Sequence, residues 1–316
     1  MNHPYRLREV VDRFTTVSLV GLDLGSSVLK VAEVEPLKEG IHLRRTAIRK
    51  VAKGESLTQS INALLSEAGI RSHHAVVGVA SPEVIARSFH FPSMPGKELA
   101  SAVRLEAEQA ILNGHTLDEM AIDWHLLSDS AKGALRGLLA VVPKSVIASR
   151  SKAVKEAGLN PIVVDVEGLA LWNAYWTLIG SHESASKTIL LINLGVSKTN
   201  LVIAKGRDEL ILTRDLEIGT KGLAEGRKKD WTEEIVDSLA YARSKGGIRS
   251  LDSVYVTGGG SRDPEVLTLL KPAVTAPVIL WNPLEQVTWD SENLKIENSA
   301  GPLLTIAIGL ALRRLS

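Results

Sequence analysis

Two short stretches of this chain are copies of one another, and that duplication limits the fold more than any other feature. VGLDLGSSVLK (20–30) and LLINLGVSKTN (190–200) share an apolar run, one polar residue, Leu-Gly, a turn of small hydroxyl-bearing residues and a second apolar run. Each reads as two β-strands joined by a tight turn. Segments of the same style follow each copy, so the pattern predicts two related α/β halves facing a shared cleft. After the first hairpin come a strand near 41–48, a helix from Ser56 to Ala68 stopped by Gly69, and a buried strand at 75–80. After the second come a strand at 209–215, a helix at 232–244 and a strand at 254–256 that runs into Gly258-Gly259-Gly260-Ser261.

Between the halves lies a block of different character. Strand 84–91, helix 97–111, strand 122–126, strand 135–142 and helix 144–157 make a compact inserted α/β unit. Strand 161–165 and helix 167–179 return the chain to the first style, and an apolar helix at about 303–315 is expected to be buried. The expected boundaries are 1–16 for an N-terminal helix, 17–86 for the first core unit and 87–160 for the insertion. The return segment then covers 161–186, the second core unit 187–298 and the C-terminal helix 299–316. Leu7, Val10, Val11 and Phe14 give the N-terminal helix one short apolar face, which suits a covering helix or an interfacial one.

Composition excludes several function classes. The formal net charge is +1, so nothing in the bulk charge draws the chain to nucleic acid or anionic lipid. The sequence contains no Cys, which rules out disulfides, thiolate metal sites and a Cys nucleophile. The eight His residues show no metal-ligand spacing. No apolar run reaches the roughly 20 residues that span a bilayer, and the N-terminus lacks a signal-peptide core, so a cytoplasmic protein is expected.

A turn of small residues lets backbone N–H groups approach a phosphate, and Ser or Thr hydroxyls add donors. Asp23, Gly25, Ser26, Ser27 and Lys30 in the first hairpin are therefore candidate phosphate-binding residues. Gly195, Ser197, Lys198 and Thr199 play that part in the second, together with Asn193. Gly258, Gly259, Gly260 and Ser261 offer a third turn, past which a nucleoside could lie. Lys30 equally suits a solvent-facing strand. Glu167 and Asp165, at the start of a helix, are candidate water- or metal-positioning groups, or residues that simply favour the positive end of the helix. Trp172, Trp176 and Trp231 read as packing residues, and Arg227-Lys228-Lys229 as a solvated loop.

In this order the motifs resemble the actin-like ATPase superfamily and, more closely, the PilM family of type IV pilus assembly proteins. The resemblance rests on GLDLGSSVLKV (21–31), FHFPSMPGKELASAVRLEAEQAI (89–111), AVKEAGLNPIVVDVEGLALWNAY (153–175), VTGGGSR (256–262) and IAIGLALRR (306–314). The second of these is also similar to the inserted subdomain of the division protein FtsA. The resemblance implies an actin-like, ribonuclease H-like duplicated fold with an FtsA/PilM-type insertion, and ATP with Mg²⁺ as the ligand of the cleft, Asp23 being the metal-side carboxylate. It further implies a cytoplasmic scaffold that docks the N-terminal cytoplasmic tail of a PilN-like bitopic inner-membrane protein, with the pilus motor ATPase or platform protein as further partners. Membrane association would be indirect and nucleic acid no partner. The tail is expected in a groove beside the insertion, near Phe89, Phe91, Leu99 and Val103.

The sequence departs from the family pattern twice. Asn193 stands where the second phosphate motif carries Asp, which removes a charged oxygen that hard Mg²⁺ favours, although the amide could equally serve as a turn cap. The interval between Gly219 and the 254–256 strand is too short for a separate fourth α/β subdomain. Both departures imply weakened or lost nucleotide binding and a pseudo-ATPase. An active ATPase, an FtsA-like cytoskeletal protein and the cytoplasmic part of a type II secretion platform are the rival readings.

Overall fold

The computed structural model describes residues 19–38, 40–111, 115–129, 134–180, 186–206, 209–290 and 294–314. The N-terminal helix expected over 1–16 lies outside them. Strand β1 (Leu19–Leu24) is buried along its whole length and pairs antiparallel with β2 (Val28–Leu37), which pairs with β3 (Gly40–Lys50). Helix α1 (Leu57–Ala68) begins at a capping box. The Ser56 hydroxyl accepts the Gln59 N–H, while Gln59 Oε1 accepts the Ser56 N–H. Gly69 ends the helix in the left-handed conformation (φ 64°). Strand β4 (His74–Val79) then runs parallel to β1.

The insertion follows as β5 (Ile85–Pro92), α2 (Gly96–Ala110), β6 (Met120–Asp129) and β7 (Ala134–Pro143), whereas α3 (Lys144–Glu156), expected to belong to it, packs Ala153 and Val154 into the core of the first half. The insertion's antiparallel sheet has the order β5-β7-β6. One face of α2, with Leu99, Val103 and Ala107, covers this sheet against Phe89, Leu139 and Val141. The chain rejoins the first half through β8 (Asn160–Val166) and α4 (Glu167–Leu178).

The second half repeats the design. Strands β9 (Thr188–Leu194), β10 (Thr199–Lys205) and β11 (Glu209–Leu216) form an antiparallel meander. Helices α5 (Thr220–Ala224) and α6 (Lys228–Gly246) are all that lies between it and β12 (Ser253–Thr257). Residues 217–252 contain no strand. Helix α7 (Pro264–Leu270) and the short strands β13 (Val278–Leu280) and β14 (Thr288–Trp289) follow. The sequence reading did not foresee these three elements. The last expected helix is a 3₁₀ turn at Asn298–Leu304 containing Pro302, then α8 (Thr305–Ala311), then a 3₁₀ end at Leu312–Arg314.

The two sheets have equivalent orders, β14-β3-β2-β1-β4-β8 and β11-β10-β9-β12-β13. A hairpin-plus-third-strand meander with parallel strands added beyond its first strand occurs in both: this is the actin-like fold. Helices α4 and α8 pack together between the sheets and build the largest core with Tyr175, Tyr255 and Trp281. The approach is so close that a Cβ on Gly309 would meet the Ala170 carbonyl oxygen at 2.0 Å, and one on Gly21 the Ala307 oxygen at 1.9 Å.

Candidate functional site

The two hairpin turns meet across a cleft, and strand register decides which side chains line it. In the first hairpin Asp23 pairs directly with Lys30. In the second, Asn193 pairs with Asn200, the equivalent positions. A cation–carboxylate pair in one half is thus an amide–amide pair in the other. The next strand extends each row: Lys30 faces Ile48 on β3, whereas Asn200 faces Asp215 on β11.

The side chains follow this register. Lys30 Nζ donates to Asp23 Oδ2 at 2.9 Å, with both groups largely buried. Asn193 Nδ2 donates to Asn200 Oδ1 at 2.7 Å, and Asn200 Nδ2 donates to Asp215 Oδ1 at 2.7 Å and to Glu167 Oε2 at 3.3 Å. Asn193 is therefore one link in a polar chain that ends on two carboxyl groups. Glu167 starts α4 and reaches the cleft floor over Gly78, where a Cβ would sit 3.1 Å from its Cγ. Burial pushes the Glu167 carboxyl up to about 8; the charges of Asp23 and Asp215 act the same way, against Lys30 and Lys198. Asp215 is pushed up by burial to about 6, opposed by its bond from Asn200 and by Lys198. Burial therefore favours the neutral form of Glu167 at the floor.

The turns close the mouth. Ser26 and Ser197 share an Oγ–Oγ hydrogen bond of 2.7 Å across the two halves. Lys198 Nζ donates to the Ala80 carbonyl at 2.5 Å, and Arg150 on α3 donates to the Leu24 carbonyl at 2.9 Å. The space enclosed by Asp23, Ser26, Lys30, Arg150, Glu167 and Lys198, with their neighbours, is about 100 Å³. A site for a drug-sized ligand holds at least about 300 Å³. The hydroxyls, the cations and the volume fit a phosphoryl group. Base and ribose do not fit between turns that touch each other. If the mouth opens, Lys30, Lys198 and Arg150 would face phosphate oxygens, and Asp23 and Glu167 are the carboxylates beside them. A bound Mg²⁺ would supply charge neutralisation of the phosphates.

Asp23, Gly25, Ser26, Ser27, Lys30, Glu167, Asn193, Gly195, Ser197 and Lys198 all line this space. Other expected residues do not. Thr199 is fully buried behind the hairpin, where its hydroxyl donates to the Ile218 carbonyl and accepts the Trp231 indole N–H at 3.0 Å. Asp165 lies on β8 outside the cleft, 2.8 Å from Arg313, and burial raises its carboxyl despite that partner. Gly258, Gly259, Gly260 and Ser261 back the second hairpin and are not among the residues that line this small space. Gly258 has φ 85°, its N–H donates to the Pro302 carbonyl, and a Cβ there would lie 2.6 Å from Asn193 Oδ1. The groove residues need the plainest correction. Phe89, Leu99 and Val103 form the buried core of the insertion, and Phe91 stacks on Phe89 at 5.1 Å, because the apolar face of α2 is spent on its own sheet. The outer face of α2 carries an open depression lined by Met94, Lys97, Glu98, Ser101, Ala102 and Leu105.

Three residues of the site went unread in the sequence: Asn200, Asp215 and Arg150. Asn200 was within reach, being as far from Asn193 as Lys30 is from Asp23. Asp215 and Arg150 join through tertiary pairing and carry no motif.

Comparison with known proteins adds the lineage. The family model described as type IV pilus assembly protein PilM matches residues 21–232. No curated protein matches the sequence. Among solved structures, the PilM–PilN type IV pilus biogenesis complex contains a chain 26% identical, with a TM-score of 0.80 over 95% of this chain and 99% of that one. The cytoplasmic domain of EpsL, an inner-membrane component of the Vibrio cholerae type II secretion system, is 12% identical with a TM-score of 0.49, over 93% of this chain and 94% of its own. A ROK family glucokinase from Streptomyces griseus, in complex with glucose and AMPPNP, is 14% identical, also with a TM-score of 0.49, over 95% and 100%. The chain belongs to the family of type IV pilus assembly proteins PilM.

Proposed function

We propose that this protein is the actin-like scaffold of a type IV pilus assembly platform, docking the N-terminal cytoplasmic tail of a PilN-like inner-membrane protein. One observation carries the reading: nearly end-to-end likeness to the chain of a PilM–PilN complex, at 26% identity, within a matched PilM family. No helix among the described residues is long and apolar enough to cross a membrane, which fits attachment through a partner. The protein works at the cytoplasmic face, and its surface beside the insertion receives the peptide. The outer side of α2 is the better candidate for part of that surface, since Leu105 is 59% exposed while Leu99 and Val103 are sealed in. A fluorescently labelled N-terminal peptide of the PilN-like protein from the same organism, titrated with the purified chain, tests this. Saturable binding weakened several-fold by Leu105→Asp is expected; no binding at any concentration removes the docking claim.

The nucleotide cleft is retained in a weakened form. Asn193 and Asn200 replace a charged pair by a neutral one, and the Ser26–Ser197 bond must break before a nucleotide enters. A second reading, an ATP-binding switch, is favoured by the convergence of Lys30, Lys198 and Arg150 on one small space. Calorimetry with Mg-ATP on the wild type and on Ser26→Ala separates the two. Tighter binding by the variant is expected of a cleft held shut by its own turns.

A further inference from the structure

We propose that Lys198 and Asp215 grip the stem of the inserted unit from inside the cleft, so that a phosphoryl ligand in the cleft and a peptide docked beside the insertion bind with linked affinities. This rests on the docking reading above and assigns its regulation. The insertion hangs on two connections, residues 80–84 between β4 and β5, and the junction of β7 with α3. The first is tied down by the opposite half of the molecule. Lys198 Nζ donates to the Ala80 carbonyl, and Asp215 accepts the Ser81 backbone N–H. Thr213, on the same face of β11 as Asp215, donates from Oγ1 to the Ala86 carbonyl at 3.1 Å. Strand β11 packs along β5 beyond that point.

The second connection also ends at the cleft. Arg150, on α3, holds the Leu24 carbonyl beside the first turn. Around both connections Val79, Val84, Ala86, Val142 and Val166 form a small core of their own, separate from those of the halves and of the insertion. A change of stem position therefore carries the insertion with it.

The grip is sensitive to what fills the cleft. Lys198 makes no ion pair with a carboxylate among the described residues; a neutral carbonyl satisfies its ammonium. The Lys198–Ala80 bond has one charged partner; a phosphoryl oxygen supplies the second and adds the attraction of opposite charges, so a ligand draws Lys198 away from Ala80. The stem then loses its tie at residue 80 and keeps those at 81 and 86. Linkage is reciprocal: a peptide that favours one stem position alters phosphoryl affinity by the same factor.

The test uses the full chain. Affinity for the labelled tail peptide is measured alone, with saturating Mg-ATP, and with inorganic phosphate, for the wild type, Lys198→Met and Lys198→Arg. A shift of about fivefold or more is expected in the wild type, since coupling of this kind spans roughly 5- to 150-fold. Lys198→Met should abolish the shift, and Lys198→Arg, which keeps the donor, should retain it. Wild-type affinities unmoved by either probe overturn the linkage. Hydrogen exchange needs neither peptide nor ligand. Amides of residues 80–92 should exchange several-fold faster in Lys198→Met than in the wild type or in the exposed control Lys221→Met. Equal exchange overturns the grip even if the peptide binds. Faster exchange with a peptide that never binds sustains the grip and defeats only the docking reading.

Discussion

Replacing Glu167 by Gln should make the protein more stable, by an amount that grows with pH. Glu167 is half-buried beside Asp23 and Asp215, and its carboxyl is raised to about 8 from an ordinary 4.5. Such a group favours folding in its neutral form. Its contribution is complete below the unfolded-state pKa and is lost as pH climbs from there toward 8. The ionisation cost follows from linkage at about 1.4 kcal/mol per pH unit, giving ~2 kcal/mol at pH 6 and ~5 kcal/mol at pH 9. Gln cannot ionise, and its carbonyl oxygen can still accept the Asn200 amide. Asp215 titrates in both proteins and largely cancels from the difference. Solvent at the cleft mouth trims the gap, so the variant should gain roughly 1–3 kcal/mol on the wild type between pH 6 and 9. Urea unfolding of both proteins at half-unit pH steps measures it directly. A difference that stays constant within about 0.5 kcal/mol across that window refutes the reading of Glu167 as a neutral acid at the cleft floor.

Asn193→Asp adds a fourth carboxyl to that cluster and replaces the amide donor that now serves Asn200, so it should cost about 1–3 kcal/mol without metal. Millimolar Mg²⁺ should return part of that loss in a thermal melt, and no recovery would deny the cleft a divalent-ion site. Gly309→Ala forces a methyl group against the Ala170 carbonyl and should destabilise by roughly 3 kcal/mol or more, measured by urea unfolding. Trp231→Phe removes the indole N–H that Thr199 accepts inside the second core, at an expected cost of about 1–2 kcal/mol in the same assay.

The hairpins were legible because a tight turn fixes register, and register fixes which residues stand opposite. Asp23 with Lys30, and Asn193 with Asn200, are therefore readable as pairs before any coordinates. Helix α1 was legible from Ser56 and Gly69, whose chemistry suits the two ends of a helix. What stayed hidden depends on segments far apart in sequence. Asp215 enters the cleft only because β11 pairs with β10, and Arg150 only because α3 returns beneath the first turn. Two-residue β14 has no periodicity to read, yet it pairs with β3 across some 245 residues. Periodicity also showed that Leu99 and Val103 share a face of α2 without showing what that face meets. An apolar stripe was assigned to a partner when the neighbouring strands already covered it.

The way β14 and α8 complete the first half bears on how the protein is made. Strands β1, β2 and β4 leave the ribosome early, but the helix that seals them, with Gly21 and Gly309 letting backbones nearly touch, is encoded more than 200 residues later. During synthesis these early strands, complete at Val79, wait with their apolar face uncovered until Thr305 is made, roughly 225 residues later, while the second half can assemble around its own meander. A chain broken off before Thr305 would hold an intact first hairpin and an intact insertion on an unsealed sheet. Such fragments are prone to aggregation or proteolysis.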